Sequence, residues 1–123
     1  MGILTKALSI VRPGGSLIAA GKKTLEIRRW RPDLMPDEDL VIVENERFLK
    51  RGDEDVGAAV ALVRVGAVRP FARHDMLAAC ANSFEEGWLA WELGAVRPFP
   101  ERLSMPAKRK IYEVVLASNF EGT

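Results

Sequence analysis

Cysteine and histidine are almost absent, with one of each in 123 residues. The single cysteine, Cys80, cannot form an internal disulfide, which favours a reducing compartment, and we expect a cytoplasmic protein. We interpret Cys80 as a small buried side chain, as free cysteines usually are. His74 and Cys80 together offer two soft ligands, fewer than a structural zinc site needs, and a histidine-based triad is not expected. We therefore expect no cofactor, although a magnesium ion held by Glu26 and a second carboxylate stays open.

Long apolar runs are also missing. None approaches the ~20 residues of a membrane helix, so we expect no membrane partner. The remaining composition, 48% hydrophobic and 28% charged, is that of an ordinary globular protein. The length predicts a single domain over residues 1–123 and gives no indication of the oligomeric state.

Net charge is nearly absent as well, but the value of +1 hides an asymmetry along the chain. Residues 1–31 carry seven Lys or Arg against one Glu, whereas residues 32–55 carry three Lys or Arg against nine Asp or Glu. The basic block could attract phosphates. Equally, the two blocks could pair with each other or form solvated faces, since surface ion pairs form readily.

Charged and aromatic side chains are most concentrated in residues 21–30, with the sequence G-K-K-T-L-E-I-R-R-W. Only two large aliphatic residues, Leu25 and Ile27, stand among the basic side chains. If this segment is a strand, Leu25 and Ile27 point to the core, and Glu26, Arg28 and Trp30 point to the other face. That face would be anion-attracting, with one embedded carboxylate and an aromatic edge.

The remaining pattern predicts an α+β fold with many strands and short helices between Gly and Pro breaks. We expect a small, mostly antiparallel β-barrel of about six strands with two or three short helices. The expected strands are residues 6–11, 24–29, 40–44, 57–68, 88–93 and 110–117. The expected helices are residues 16–22 and 74–81.

Several motifs resemble the ASCH (activating-signal-cointegrator homology) family, a branch of the PUA-like β-barrels. The N-terminal motifs are Ala7-Leu8-Ser9-Ile10, Arg12-Pro13, Leu17-Ile18 and Gly21-x-Lys23-Thr24-x-Glu26-x-Arg28. The C-terminal motifs are residues 89–93, Arg97-Pro98-Phe99, Pro106 and Lys108-x-Lys110. The resemblance covers most of the chain, with no family signal in residues 33–55.

The resemblance implies two kinds of function. Some small members are amidohydrolases that cleave N4-acylated cytidine with a lysine, a threonine and a glutamate. The family's lysine corresponds to Lys23, but Glu26 occupies the threonine position, and a carboxylate there would keep the Lys23 ammonium charged. The third member has no clear counterpart, with Asp75, Glu85 and Glu86 as candidates.

Nucleic-acid binding therefore ranks first, with single-stranded RNA or a nucleotide as the expected partner and ribonuclease activity as an open addition. Basic residues interleaved with aromatics are what single strands require. The expected binding residues are Arg12, Lys22, Lys23, Arg28, Arg29, Trp30 and Lys108, with Arg109 and Lys110 beside the last of them. Lys23 and Glu26 would be catalytic if the protein is a hydrolase. An N4-acylcytidine amidohydrolase and a protein-interaction module remain the alternatives.

Overall fold

A computed structural model describes residues 2–117, which form six strands, two short helices and a 3₁₀ turn. The strands are β1 (Gly2–Val11), β2 (Leu25–Arg28), β3 (Leu40–Asn45), β4 (Asp55–Pro70), β5 (Leu89–Ala107) and β6 (Ile111–Ala117). The helices are α1 (Gly14–Ala19) and α2 (Met76–Ala79), and the 3₁₀ turn Arg73–Asp75 leads into α2.

All six strands form one sheet in the order β2-β5-β4-β3-β1-β6. The β1–β3 pair is parallel and the other four pairs are antiparallel. The α+β fold and its mostly antiparallel pairing are confirmed, but the expected closed barrel is wrong. In residues 2–117 the sheet ends at β2 on one side and β6 on the other. Closure would need these edges to pair, and β2 contributes only the four residues Leu25–Arg28.

The core lies on both faces of the sheet around β3, all six residues of which are buried. Alternate side chains of neighbouring strands divide between the two faces. Leu8 and Ile42 belong to one apolar cluster with Trp91, whereas Ala7 and Val43 belong to the other. A continuous apolar run such as Leu40–Asn45 is typical of a strand covered on both faces.

The period-two prediction is confirmed for the four residues of β2, Leu25–Arg28. Leu25 is buried in a third apolar cluster, and the partly buried Ile27 packs against that cluster. Their neighbours Glu26 and Arg28 line a cleft on the other face. The strand is shorter than expected and ends before Trp30.

The ends of β5 and of both helices differ more from those expected from the sequence. The expected strand 88–93 is the 19-residue β5, because the chain continues pairing with β4 through several register shifts. Helix α1 begins two residues earlier than expected and ends at Ala19, before Gly21, whose φ of +76° favours glycine. The expected helix 74–81 is reduced to the 3₁₀ turn and α2. No helix in the described residues is long and apolar enough to cross a membrane.

We predict that Leu62→Ala lowers the free energy of unfolding by about 2–5 kcal/mol, because truncating a packed leucine leaves a cavity. Leu62 is fully buried in the middle of β4. The matched control is Leu77→Ala in α2, where the side chain is 90% exposed and the cost should stay within about 0.5 kcal/mol. Urea denaturation of both variants measures the difference, and equal costs would contradict the assigned core.

Candidate functional site

The main cleft lies where the unclosed sheet leaves one flank of β1 uncovered. Pairing between β1 and β6 stops at Leu8, so Ser9 and the residues after it pair with β3 alone. Arg28 of β2 reaches this flank, and its Nη2 donates to the carbonyl oxygen of Ser9 at 3.0 Å. A side chain thus links β2 to β1 where a closed sheet would have backbone pairing.

We call this opening the cleft; its volume is about 800 Å³. Six segments contribute to its lining: the end of β1, helix α1, β2 with the residues flanking it, the loop after β3, the end of α2 and the β5–β6 turn. The charged lining residues are Arg12, Lys23, Arg28, Arg47, Lys108, Arg109, Lys110 and Glu26. Seven positive charges therefore meet one carboxylate.

Glu26 and Lys23 form a buried ion pair in the cleft wall. The ammonium Nζ of Lys23 lies 3.3 Å from Oε1 of Glu26, with both side chains less than 10% exposed. Lys23 also donates to the carbonyl oxygens of Leu25 at 2.9 Å and Ala79 at 2.7 Å. Three oxygen acceptors match the three donors of an ammonium group. The arrangement fastens the start of β2 to the end of α2.

Arg28 completes this network from the other side of the carboxylate. Its Nε donates to Oε2 of Glu26 at 2.7 Å. Glu26 therefore receives one cation on each oxygen, and buried charges paired in this way avoid the large cost of isolation. Glu26 thus pairs with both Arg28 and Lys23.

Trp30 lies in the cleft lining and is already in contact with several groups. Its ring meets Trp91 edge-to-face at a centroid distance of 5.0 Å. The guanidinium of Arg28 and the ammonium of Lys110 lie 5.9 and 5.8 Å from the ring centroid. Such cation–π contacts hold the β5–β6 turn near β2.

Six of the eight residues expected at the site line the cleft together: Arg12, Lys23, Glu26, Arg28, Trp30 and Lys108. Lys22 and Arg29 are not among its lining residues. Arg29 instead pairs with Glu85 at 2.8 Å and lies over the ring of Trp88. Arg29 lies one residue beyond the end of β2, and its contacts with Glu85 and Trp88 hold it outside the cleft.

Sequence reasoning missed several lining residues that come from distant segments. Arg47 and Phe48 arrive on the loop between β3 and β4, and Asn82 follows α2. Cys80 also lines the cleft and is exposed, so its interpretation as buried is wrong. It ends α2 in the left-handed conformation, with φ of 52°. For Phe48, the only local indication of its place in the cleft is that it is a single phenylalanine within the acidic residues 32–55.

Three exposed cations at the rim of the cleft, Arg12, Arg47 and Lys108, pair with acidic side chains of residues 32–55. Arg12 lies 3.2 Å from Glu46, and Lys108 lies 3.2 Å from Glu54. Arg47 pairs with Asp53 of its own loop and with Asp55, the first residue of β4. The hypothesis that the two charge blocks pair with each other is thus correct for part of the rim.

The chain also matches a known protein family. A family model, the ASCH domain, matches residues 8–117. The chain belongs to the ASCH domain family. None of the curated proteins compared with it matches significantly.

Solved ASCH structures from Zymomonas mobilis share the fold. The ASCH protein itself is 16% identical, with a TM-score of 0.51 over 77% of this chain and 70% of that chain. Two mutant forms, both titled ZmASCH, are each 18% identical with TM-scores of 0.55. Their matches cover 78% and 80% of this chain and 71% and 74% of theirs. The likeness is one of fold.

The hydrolase pattern of some ASCH proteins is only partly assembled here. Lys23 lies in the cleft wall, with Glu26 at the threonine position. Asp75 pairs with Arg69 at 2.7 Å, Glu85 pairs with Arg29, and Glu86 borders a separate cavity. Among the residues described, Glu26 is therefore the only acid lining the cleft. No group of three His, Cys, Asp or Glu side chains in residues 2–117 is placed to hold a metal ion.

We predict that Lys23→Met lowers the free energy of unfolding by about 3–5 kcal/mol, because it removes one partner of a buried ion pair. Two buried backbone carbonyls lose their donor as well. Lys22→Met is the matched control, since Lys22 is exposed, and its effect should stay within about 0.5 kcal/mol. Chemical denaturation compares the two, and a stable Lys23→Met protein would contradict the structural role assigned to the ammonium.

We also predict an acid-sensitive contact at Asp75. Hydrogen bonds from Arg69 and from the backbone N–H of Ala72 lower the pKa of Asp75 from 3.8 to about 2. A native pKa below the unfolded one gives stability that is present above about pH 4 and lost as the pH falls towards 2. Asp75→Asn should therefore lower the midpoint of thermal unfolding at neutral pH and flatten its fall over that window. Asp37→Asn, at an exposed position, should retain the parental curve, and identical curves for all three proteins would refute the assignment.

Proposed function

We propose that the cleft binds single-stranded RNA. The observation that carries the proposal is the charge of its lining, seven Lys or Arg against Glu26 alone. Glu26 is already neutralised by Lys23 and Arg28. An excess of cations lining a concave surface attracts a polyanion and raises its local concentration.

Two of the seven cations have no carboxylate within ion-pair distance among residues 2–117. These are Arg109 and Lys110, which lie in the turn between β5 and β6. Within the described part of the chain no acid offsets their charges, so phosphate contact there would not require breaking an ion pair. Arg12, Arg47 and Lys108 hold exposed pairs instead, and such pairs contribute only about 0–1 kcal/mol. Phosphates can therefore compete for these three as well.

The size and composition of the cleft fit nucleotides of a single strand. Its volume of about 800 Å³ lies within the range of small-molecule sites. Aromatic rings beside a basic groove are how proteins hold single strands, with charge on the phosphates and rings on the bases. Membership of the ASCH family agrees with this proposal, since binding of RNA is what the resemblance implies.

We predict that the double variant Arg109→Ala/Lys110→Ala weakens binding of a single-stranded oligo(U) RNA. Each cation that no longer meets a phosphate should reduce the slope of log K against log salt by about 0.7, hence by about 1.4 for two. The matched control is Lys22→Ala/Arg29→Ala, which removes the same charge from the same protein outside the cleft lining. Fluorescence anisotropy titrations over a salt series measure all three proteins.

The control should leave the slope within error of the parental value. An equal decrease in both variants would show that total charge, and not the cleft, governs binding. Absence of binding by the parent near about 50 mM salt, or binding independent of salt, would refute the proposal.

Amidohydrolase activity is the weaker alternative. Lys23 matches the family's lysine and lies in the cleft lining. However, its Nζ already donates to two backbone carbonyl oxygens and lies 3.3 Å from Oε1 of Glu26. A general base needs an available lone pair. Turnover of N4-acetylcytidine by the parent, checked beside the RNA titration, would assign the cleft to hydrolysis instead.

A further inference from the structure

Phe48 is an unusual lining residue of the cleft because its side chain is left in solvent. It is 83% exposed. The other exposed large apolar residues described are Ile3, Leu4, Met35, Val56, Leu77 and Val115, and none of them lines the cleft. Single exposed aliphatic side chains are common and need no explanation. An exposed aromatic ring in the lining of a basic cleft is a different case, because its surface is available to a ligand.

The loop that carries Phe48 is anchored on both sides of this residue. Before it, Nδ2 of the buried Asn45 donates to the carbonyl oxygen of Arg47 at 2.6 Å. After it, Leu49 packs against the apolar cluster around Val43. Since its two neighbours are fixed, the chain presents the Phe48 ring outward instead of folding it into the core.

Hydrogen bonds within the loop also hold its later residues, Lys50 to Asp53, in place. The carboxylate of Asp53 accepts hydrogen bonds from the backbone N–H of Lys50 at 3.0 Å and from Arg47 at 3.3 Å. The N–H of Asp53 in turn donates to the carbonyl oxygen of Lys50 at 2.9 Å. A loop ordered in this way loses less entropy when its aromatic residue contacts a ligand.

Trp30, the ring that the sequence singles out for stacking, is less accessible. It is half-buried, with Trp91 against it and two cations within 6 Å of its centroid. Phe48 has no ring or cation contact of this kind with any other residue that the structure describes. The accessible aromatic surface of the cleft is therefore on Phe48.

We propose that Phe48 is the base-stacking residue of the cleft, on which a nucleobase of a bound single strand lies while phosphates contact the β5–β6 turn. This assignment rests on the proposed function and adds to it the means by which bases are held. The partner is identified by its chemistry, a planar base joined to phosphates. Phosphate alone would use the cations but gain nothing from the ring.

Phe48→Ala should weaken binding of oligo(U) RNA by about 5- to 150-fold, the range that base–aromatic stacking gives. Binding of inorganic polyphosphate, which has no bases, should change less than about twofold. Phe48→Trp should retain or improve affinity for oligo(U). Competition titrations with both probes at one salt concentration compare these variants with the parent.

Leu77→Ala serves as the control, because it removes an equally exposed apolar side chain outside the cleft. It should alter neither affinity. An unchanged oligo(U) affinity in Phe48→Ala, with weaker binding by Arg109→Ala/Lys110→Ala, would overturn the role of Phe48 and leave the RNA proposal standing. Equal decreases in affinity for oligo(U) and polyphosphate in Phe48→Ala would also overturn it. A parent that binds no oligo(U) at all would refute both.

Discussion

The buried carboxylate of Glu26 is the contact on which the site depends. One oxygen binds Lys23 and the other binds Arg28. Through these two cations it joins three elements: Lys23 reaches the end of α2, Glu26 belongs to β2, and Arg28 reaches the open flank of β1. Removing a buried carboxylate would leave two cations without compensation, which is the most destabilising case. The same network that holds β2 in place therefore forms the wall of the cleft.

The open sheet and the cleft have a common origin. A four-residue strand cannot cover the length of β1, and β6 stops pairing before Ser9. Uncovered backbone at a sheet edge must find partners or remain in water. Here Arg28 supplies a donor to one carbonyl, and the remaining space is left open between β1, β2 and the β5–β6 turn. A closed barrel would have filled this space with backbone pairing.

The sequence pattern predicted the strands whose faces are set by neighbouring residues in the chain. The alternation around Leu25 and Ile27 indicated the correct faces of β2, and the apolar run at residues 40–44 indicated β3. The full length of β5 could not be predicted, because Gly94 and several prolines interrupt it and only pairing with β4 sustains it. Six lining residues of the cleft were predicted, four of them within residues 23–30 and the others Arg12 and Lys108. Phe48 was not, since its position in the cleft depends on long-range packing of a loop that has no family signal.

The charged residues of the cleft differ in the contacts that they already make: some are bound to other protein groups in the cleft wall, and some of those on the loops have no ion pair among the described residues. Lys23 and Arg28 are committed to Glu26 and to backbone carbonyls, so their hydrogen-bonding capacity serves the fold first. A ligand that took these contacts would have to replace them in a buried setting, where unpaired groups are strongly destabilising. Arg109 has no ion pair to break in the described chain, and Phe48 has little packing to lose because it is 83% exposed. In the RNA complex proposed above, recognition at low cost would therefore fall to the loops around the cleft, whereas the segment from Lys23 to Arg28 maintains the shape of the cleft wall.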